Sequence, residues 1–235
     1  MSSFNILRRK LLLWIIGGSV IGPVCYPKLV RLVLAIGSRN YPQGIQIMEG
    51  DVKINDIPAE VGSMVNPGDT VMTGDDGKLV FVLNRSVYLL RENTTLILDI
   101  EPGESAKKNM VSVLQLLNGK LLSVFGKGNR QVITPTAVIG VRGTGMYLKS
   151  DQKMTYICTC YGKAEIRSRY DKTVHETVKT SHHDKPRFVY GEDADEILVE
   201  APVFDHTDQE LIMLESLVGR RPPFVRKTSE GGGGY

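Results

Sequence analysis

Short apolar runs separated by turn-forming residues dominate the middle of the chain. The run Leu79–Leu83 is followed by a turn at residues 84–86 and then by Val87–Leu90. Residues 118–119 (Asn-Gly) and 151–153 (Asp-Gln-Lys) separate further apolar runs in the same way. Because Asn-Gly between apolar runs is a strong hairpin signal, we expect a hairpin at residues 118–119. Strands at this spacing predict a mostly β fold, an antiparallel β-sandwich or barrel-like domain.

The residues after the strand-rich part predict a short C-terminal helix. Thr207 and Glu210 have the spacing of a capping box, in which the two side chains cap the first turn of a helix. Apolar residues follow at helical spacing as far as Val218, and Gly219 can end the helix. The sequence therefore assigns residues 207–235 to a C-terminal helix and a flexible, Gly-rich tail.

A basic and proline-rich segment follows the predicted helix. Two consecutive prolines stop any continuation of the helix, and an aromatic side chain follows them directly. We expect this segment to dock onto the domain or onto a partner protein through its side chains, which are Arg220, Arg221, Pro222, Pro223 and Phe224.

The charge of the chain is divided unevenly between its N-terminal segment and the rest. The whole chain has 29 basic and 26 acidic residues, a net charge of +3. Residues 1–39 hold six of the basic residues and no acidic one, so the remainder has 23 basic and 26 acidic residues, a net charge of −3. A body with this balance gives no reason to expect nucleic-acid binding.

The N-terminal segment predicts a membrane anchor. The uncharged run from Leu11 to Pro27 directly follows three basic residues, which would keep the N-terminus in the cytoplasm and export the rest of the chain. Gly18 and Gly22 have the spacing with which two such anchors can self-associate. A cleaved signal peptide is the alternative. The side chains assigned to the transmembrane helix are Leu11, Trp14, Gly18, Gly22 and Tyr26.

Several motifs of the strand-rich part resemble a FecR-type domain. Residues 50–74 match the series G-x-V-x-x-N, A-x-x-G and G-D-x-x-x-T-G through Gly50, Val52, Asn55, Ala59, Gly62, Gly68, Asp69, Thr73 and Gly74. Residues 132–137 (V-I-T-P-T-A), 141–144 (V-R-G-T) and 161–164 (Y-G-K-A) resemble the later motifs of the same family. The resemblance covers residues 44–168.

The resemblance implies an exported, mostly β domain in a protein of the bacterial inner membrane. The namesake proteins are periplasmic and relay a signal from an outer-membrane receptor to a cytoplasmic sigma factor. They hold the sigma factor through a cytoplasmic segment, whereas seven to ten residues precede the apolar run here. We therefore take the fold and the compartment from the resemblance, and predict a binding, sensing or scaffold module of an envelope complex rather than an enzyme.

The remaining segment, a polar extension at residues 169–206, contributes histidines that form a group of potential metal ligands with two cysteines of the preceding domain. Cys158 and Cys160 have the spacing that places two side chains on one face of a strand, and His182 and His183 follow 22 residues later. Thiolates and imidazoles together suit Zn²⁺, copper or iron. We therefore predict a Cys2His2 metal site, with His206 as a further candidate ligand.

Two other interpretations of these residues stay open at this point. Cys158 and Cys160 could form a strained, easily reduced disulfide, which an exported compartment would permit. The protein would then be a periplasmic redox or metal-handling protein. Alternatively, the cysteines are ordinary buried thiols and the histidines are surface residues with no shared role.

Overall fold

A computed structural model describes residues 41–99 and 111–225, which form fifteen strands and one helix. The strands are β1 (Gly44–Glu49), β2 (Val52–Ile54), β3 (Ile57–Pro58), β4 (Thr70–Thr73), β5 (Lys78–Leu83), β6 (Ser86–Leu90), β7 (Thr95–Asp99), β8 (Val113–Val124), β9 (Asn129–Ile133), β10 (Ala137–Arg142), β11 (Gly145–Ser150), β12 (Met154–Ser168), β13 (His175–Thr180), β14 (Arg187–Tyr190) and β15 (Leu198–Glu200). The helix is α1 (Asp208–Leu217).

The strands form two sheets that share two long strands. Sheet A has the order β1-β5-β6-β8-β11-β12-β14-β15. Sheet B has the order β3-β2-β4-β7-β8-β9-β10-β12-β13. Because β8 and β12 belong to both sheets, the strands β8, β9, β10, β12 and β11 close into a five-stranded barrel. These pairings are antiparallel except for β8 with β9, which run parallel. The prediction of a mostly β, barrel-like domain is confirmed.

The Asn-Gly pair at residues 118–119 lies inside β8, so the hairpin predicted there is wrong. Asn118 pairs with Thr95 of β7 in sheet B, and the next residue, Gly119, pairs with Ser150 of β11 in sheet A. Gly119 has a φ of 98°, and a Cβ at this position would lie 2.3 Å from Oγ1 of Thr94. The glycine therefore allows the backbone of β8 to lie close to Thr94 at the point where this strand passes from sheet B to sheet A. It does not reverse the chain.

The other two turns predicted from the sequence are hairpins. Leu83 pairs with Ser86 across a two-residue turn between β5 and β6, and Asn84 in this turn has a φ of 57°. Ser150 pairs with Thr155 across the turn between β11 and β12. The latter turn is closed by the carboxylate of Asp151, which accepts two backbone N–H bonds. Both predictions are confirmed, because each depends on local turn chemistry alone.

One hydrophobic core lies between the two sheets, and sheet A also buries its outer face. The first core combines residues of sheet A, such as Phe81, with residues of sheet B, such as Leu96. The second core contains residues that alternate with the first set along the strands, such as Val80 and Val82 of β5. Sheet A is therefore buried on both faces, which explains why β5 and β6 are continuous apolar runs rather than alternating ones.

Residues 201–225, which we call the C-terminal arm, cover the outer face of sheet A. Within the arm, α1 packs Leu211, Leu214 and Leu217 into the second core. Thr207 accepts from the backbone N–H of Glu210, and the Glu210 side chain accepts from the backbone N–H of Thr207. The capping box is thereby confirmed. Each fully buried apolar side chain contributes about 1.5–3 kcal/mol to the stability of this packing.

The extension at residues 169–206 joins the same sheets. Its strands β13 and β14 both pair with β12, β13 in sheet B and β14 in sheet A. The predicted anchor, with Leu11, Trp14, Gly18, Gly22 and Tyr26, lies outside the described residues, as does the Gly-rich tail. Of the part of the chain that the structure describes, no helix has the length and apolar character needed to span a membrane.

Candidate metal centre

Two free thiols lie on the face of sheet A that the C-terminal arm covers. Cys158 and Cys160 occupy alternate positions of β12 and face the same hydrophobic core, as their spacing predicts. Both side chains are fully buried, and neither forms a disulfide. The thiols are therefore available as ligands or hydrogen-bonding groups in a site that excludes bulk water.

The loop between β13 and β14 brings one imidazole to these thiols. His183 has a φ of 53°, and its backbone N–H donates to the carbonyl oxygen of Cys160 at 3.0 Å. This left-handed turn places Nδ1 of His183 3.3 Å from Sγ of Cys158. On a regular strand, the side chains of adjacent histidines would point to opposite faces of the sheet. Because of the turn, both His182 and His183 instead reach Asp208 of the arm.

The C-terminal arm supplies a second imidazole. His206 directly precedes Thr207, the N-cap residue of α1, and it is buried. Its ring stacks on Tyr147 with the centroids 4.7 Å apart, and its Nε2 lies 3.1 Å from Nδ1 of His183. The ligand atoms of four residues therefore all lie within 4.8 Å of one another: Cys158, Cys160, His183 and His206.

The structure brings together three of the four predicted ligands and places the fourth beside them. Nε2 of His182 lies 2.9 Å from both carboxylate oxygens of Asp208, and the His182 side chain is 47% exposed. His206 occupies the position in the inner group that the sequence analysis gave to His182. The capping box predicted from the sequence places His206 just before the start of a helix. The sequence does not show which face of the domain that helix covers, so it could not bring His206 to the two cysteines.

Hydrogen bonds outside the group determine which imidazole nitrogens carry protons. Nδ1 of His206 lies 2.7 Å from the carbonyl oxygen of Phe204, which can only accept, so this nitrogen donates. Nε2 of His183 donates in the same way to the carboxylate of Asp208 at 3.1 Å. In the neutral rings, Nδ1 of His183 and Nε2 of His206 then direct lone pairs at each other. A proton or a metal ion between these nitrogens removes the repulsion.

The pKa values of the cluster are shifted by its internal hydrogen bonds. The neighbouring Cys160 thiol, together with the imidazoles of His183 and His206, lowers the pKa of Cys158, although burial raises it. Burial, and then the neighbouring Cys158 sulfur, raise the pKa of Cys160. For His183, burial lowers the pKa, but the bonds to Cys158 and Asp208 outweigh this effect and raise it. The cluster therefore favours a negative sulfur beside a positive centre.

Polar contacts with sheet A and its turns hold the arm that carries His206. Tyr161 donates its hydroxyl proton to Glu215 of α1 at 2.5 Å, and the Arg220 guanidinium pairs with the same carboxylate. Arg220 also donates to the backbone carbonyl oxygen of Arg85 at 2.7 Å. At the other end of the arm, the Tyr147 hydroxyl donates to Asp205 at 2.6 Å. These contacts hold both ends of α1 against sheet A, and the bond to Asp205 lies next to His206.

The segment predicted to dock, residues 220–224, lies against the domain through part of its length. Phe224 lies with its ring 4.6 Å from that of His182, next to the cysteine–histidine cluster. Pro222 is buried, whereas Arg221 and Pro223 are exposed. Docking of this segment onto its own domain is therefore observed, and docking onto a partner stays a prediction.

One comparison with known proteins, that with family models, agrees with the motifs of the sequence. A family model described as FecR protein matches residues 69–165, which include Cys158 and Cys160 but not His183 or His206. Two crystal structures of a protein from Parabacteroides distasonis ATCC 8503, described as a "putative anti-sigma factor", are similar at 12% identity and a TM-score of 0.43. The match covers 56% of this chain and 58% of the length of that protein. No curated protein matches the chain. Residues 69–165 thus match the family that the sequence motifs resemble.

Proposed function

We propose that the protein is an exported, membrane-anchored FecR-type module that binds, senses or scaffolds in a bacterial envelope complex, and that it carries a thiolate–imidazole metal centre. The FecR match supports a role in sensing or signalling together with other envelope proteins. The anchor and the periplasmic location are supported by the uncharged run after three basic residues near the N-terminus. The observation that carries the metal centre is the convergence of four donors from three separate parts of the fold.

The geometry of the inner group suits a tetrahedral ion. With Zn–S of about 2.3 Å and Zn–N of about 2.0 Å, neighbouring donors lie about 3.3–3.8 Å apart. The observed separations are 3.3 Å between Cys158 Sγ and His183 Nδ1 and 3.1 Å between the two imidazole nitrogens. Small movements of these side chains would therefore be enough to admit the ion. Asp208 and the Phe204 carbonyl are the acceptors that orient the two imidazoles.

The donor types and the burial favour a closed structural or sensing site over an open catalytic one. Two thiolates and two imidazoles select Zn²⁺ or Cu(I) over hard cations such as Mg²⁺. Four protein ligands complete a tetrahedron, which leaves no position for a substrate. Since Cys158 and Cys160 lie on sheet A while His206 lies on the arm, the bound ion would cross-link the arm to the sheet.

Elemental analysis of the full-length chain tests this proposal. We expect tightly bound metal in protein that is purified in detergent, under reducing conditions and without chelators. Cys158→Ser and His206→Gln should each release the inner ion, while the matched control His175→Gln should retain it, because His175 is exposed on β13. Protein without metal, or a His206→Gln variant with undiminished metal, would overturn the inner site.

A second function, that of a periplasmic redox or metal-handling protein, is favoured by one observation. The pKa of Cys158 is lowered by the Cys160 thiol and the two imidazoles, which is the property of a reactive cysteine. Thiol titration distinguishes the two functions. If both thiols react with the titrant in metal-free protein and are protected when metal is added, the metal centre is supported. If they react only after a reductant is added, a disulfide between Cys158 and Cys160 is supported.

A further inference from the structure

His183 faces a different set of potential ligands with each of its two ring nitrogens. Its Nδ1 faces the inner group, 3.3 Å from Sγ of Cys158. Its Nε2 faces outward and lies 3.1 Å from Oδ1 of Asp208. A single imidazole thus lies between a buried sulfur-rich group and a second group that is open to solvent.

The outer group consists of two imidazoles and one carboxylate. The ligand atoms of His182, His183 and Asp208 all lie within 4.8 Å of one another. His182 and Asp208 are 47% and 37% exposed, so solvent reaches these two ligands. Asp208 is the first residue of α1, where a negative side chain also interacts favourably with the helix dipole.

The loop that carries the two histidines is held in place by its own hydrogen bonds. The Asp184 carboxylate accepts from the Thr180 hydroxyl at 2.6 Å and from the Ser181 backbone N–H at 3.1 Å. Thr180 in turn accepts from the backbone N–H groups of His182 and Asp184. The Phe224 ring packs against His182 from the arm. The outer ligands are therefore positioned before any ion arrives.

We propose that His182, Asp208 and Nε2 of His183 bind a second divalent cation, so that His183 bridges two ions as an imidazolate. This inference rests on the proposed function for the inner ion. Two nitrogens and one carboxylate oxygen suit a borderline cation, of which Zn²⁺ and Cu²⁺ are the common examples. Water completes the coordination of this outer ion because the group is open on its solvent side.

The binding step is an exchange of a proton for a cation, without oxidation or reduction. In the structure with neutral His183, the Nε2 proton is donated to Asp208. The cation takes the position of this proton, which leaves to solvent, and the freed nitrogen lone pair forms the metal–nitrogen bond. The Asp208 carboxylate exchanges its hydrogen bonds with His182 and His183 for a bond to the cation.

The test is a metal titration of the full-length chain in detergent, with the thiols first reduced and the reductant then removed under inert gas before any Cu²⁺ is added. One equivalent of Zn²⁺ is added to metal-free protein, followed by one equivalent of Cu²⁺ and electron paramagnetic resonance. We expect a Cu²⁺ signal with hyperfine coupling to two imidazole nitrogens, and a total of two ions per chain. His182→Gln should remove the Cu²⁺ signal and leave one ion, whereas the control His175→Gln should leave both.

The outcomes separate the outer site from the inner one. Two ions in the wild type and one in both His182→Gln and Asp208→Asn support the proposal. One ion in the wild type and in His182→Gln alike overturns the outer site while the inner site stands. If the His206→Gln variant binds as many ions as the wild type, the inner site is overturned instead. Circular dichroism on each variant checks that the fold is intact, which we expect because the side chains of His182 and Asp208 are 47% and 37% exposed.

Discussion

The two halves of β12 lie in different surroundings, although they belong to one strand. Residues 154–161, in sheet A, are buried on both faces almost throughout. Residues 162–168, in sheet B, alternate between buried residues such as Ala164 and exposed ones such as Lys163. The difference comes from the C-terminal arm, which covers the outer face of sheet A and leaves that of sheet B open to solvent.

This comparison explains where the candidate metal centre lies. Cys158 and Cys160 are in the covered half, where the arm excludes water and contributes His206. The open half carries charged pairs instead, such as Lys163 with Glu165 at 3.0 Å. One half of β12 therefore carries the buried cysteine–histidine cluster, because the arm packs on it. The other half carries a solvated surface, because nothing described in the arm covers it.

The largest effect that we expect is from shortening an apolar side chain of the cover. Leu214 is fully buried between α1 and sheet A, whereas Leu117 of β8 is 39% exposed. Leu214→Ala should lower the free energy of unfolding by about 2–5 kcal/mol. Leu117→Ala, the same change at an exposed position, should stay within about 0.5 kcal/mol. Urea unfolding of both variants measures the difference, and equal losses would contradict the two-faced burial of sheet A.

The next effect concerns the ion pair that attaches the end of α1. Glu215 is buried and contacts both Tyr161 and Arg220. Arg220→Met would leave the Glu215 carboxylate without its cation, and we expect a loss of about 2 kcal/mol in the free energy of unfolding. The adjacent and exposed Arg221 provides the control, since Arg221→Met should change stability by less than about 0.5 kcal/mol.

A double-mutant cycle sharpens this second prediction. Arg220→Met combined with Glu215→Gln should lose less stability than the two single variants together, because the second change removes the uncompensated buried charge. Strict additivity in urea unfolding would mean that the two side chains stabilise the arm independently.

A smaller difference in stability loss should separate substitutions at two glycines that have nearly the same φ angle. Gly119 and Gly68 have φ values of 98° and 95°, but a Cβ at Gly119 would lie 2.4 Å from Cα of Thr94, while nothing lies within 4 Å at Gly68. Gly68→Ala should cost about 1 kcal/mol from the left-handed backbone alone. Gly119→Ala should cost about 1 kcal/mol more than Gly68→Ala, because the added methyl group forces β8 to shift where it passes between the sheets.

Thermal or urea unfolding of the two glycine variants gives the comparison directly. An equal loss of unfolding free energy in the two variants would show that the contact between the new methyl group at residue 119 and Thr94 is relieved without strain. In that case the crossing of β8 would depend on the φ of residue 119 and not on the missing side chain.

Features set by local chemistry could be predicted from the sequence, and features set by distant contacts could not. The turn between β5 and β6 and the Thr207 capping box each depend on a few neighbouring residues, and both predictions are confirmed. The Asn-Gly pair at 118–119 has the same local signal as a hairpin, but β8 continues because its two halves find partners in different sheets.

The inner group of potential ligands illustrates the same limit. The spacing of Cys158 and Cys160 on one strand placed both thiols on one face, and the structure has them there. The choice between His182 and His206 depends on the turn at His183 and on the path of the arm over sheet A, which brings residues 158 and 206 together. Neither can be inferred from spacing, since both follow from tertiary packing.

The smallest expected effect compares an ion pair under the arm with one on the open sheet. Arg91 pairs with Glu210 of α1 at 2.9 Å, and these side chains are 20% and 18% exposed. Lys163 and Glu165 are 53% and 47% exposed. Because partial burial weakens screening by water and salt, Arg91→Met should lower the free energy of unfolding by about 1 kcal/mol. Lys163→Met should leave the urea midpoint unchanged, and added salt should reduce the effect at Arg91 only slightly. If both substitutions proved equally neutral, the Arg91–Glu210 pair would add nothing to the stability of the arm, which its apolar contacts and the Glu215–Arg220 pair would then hold.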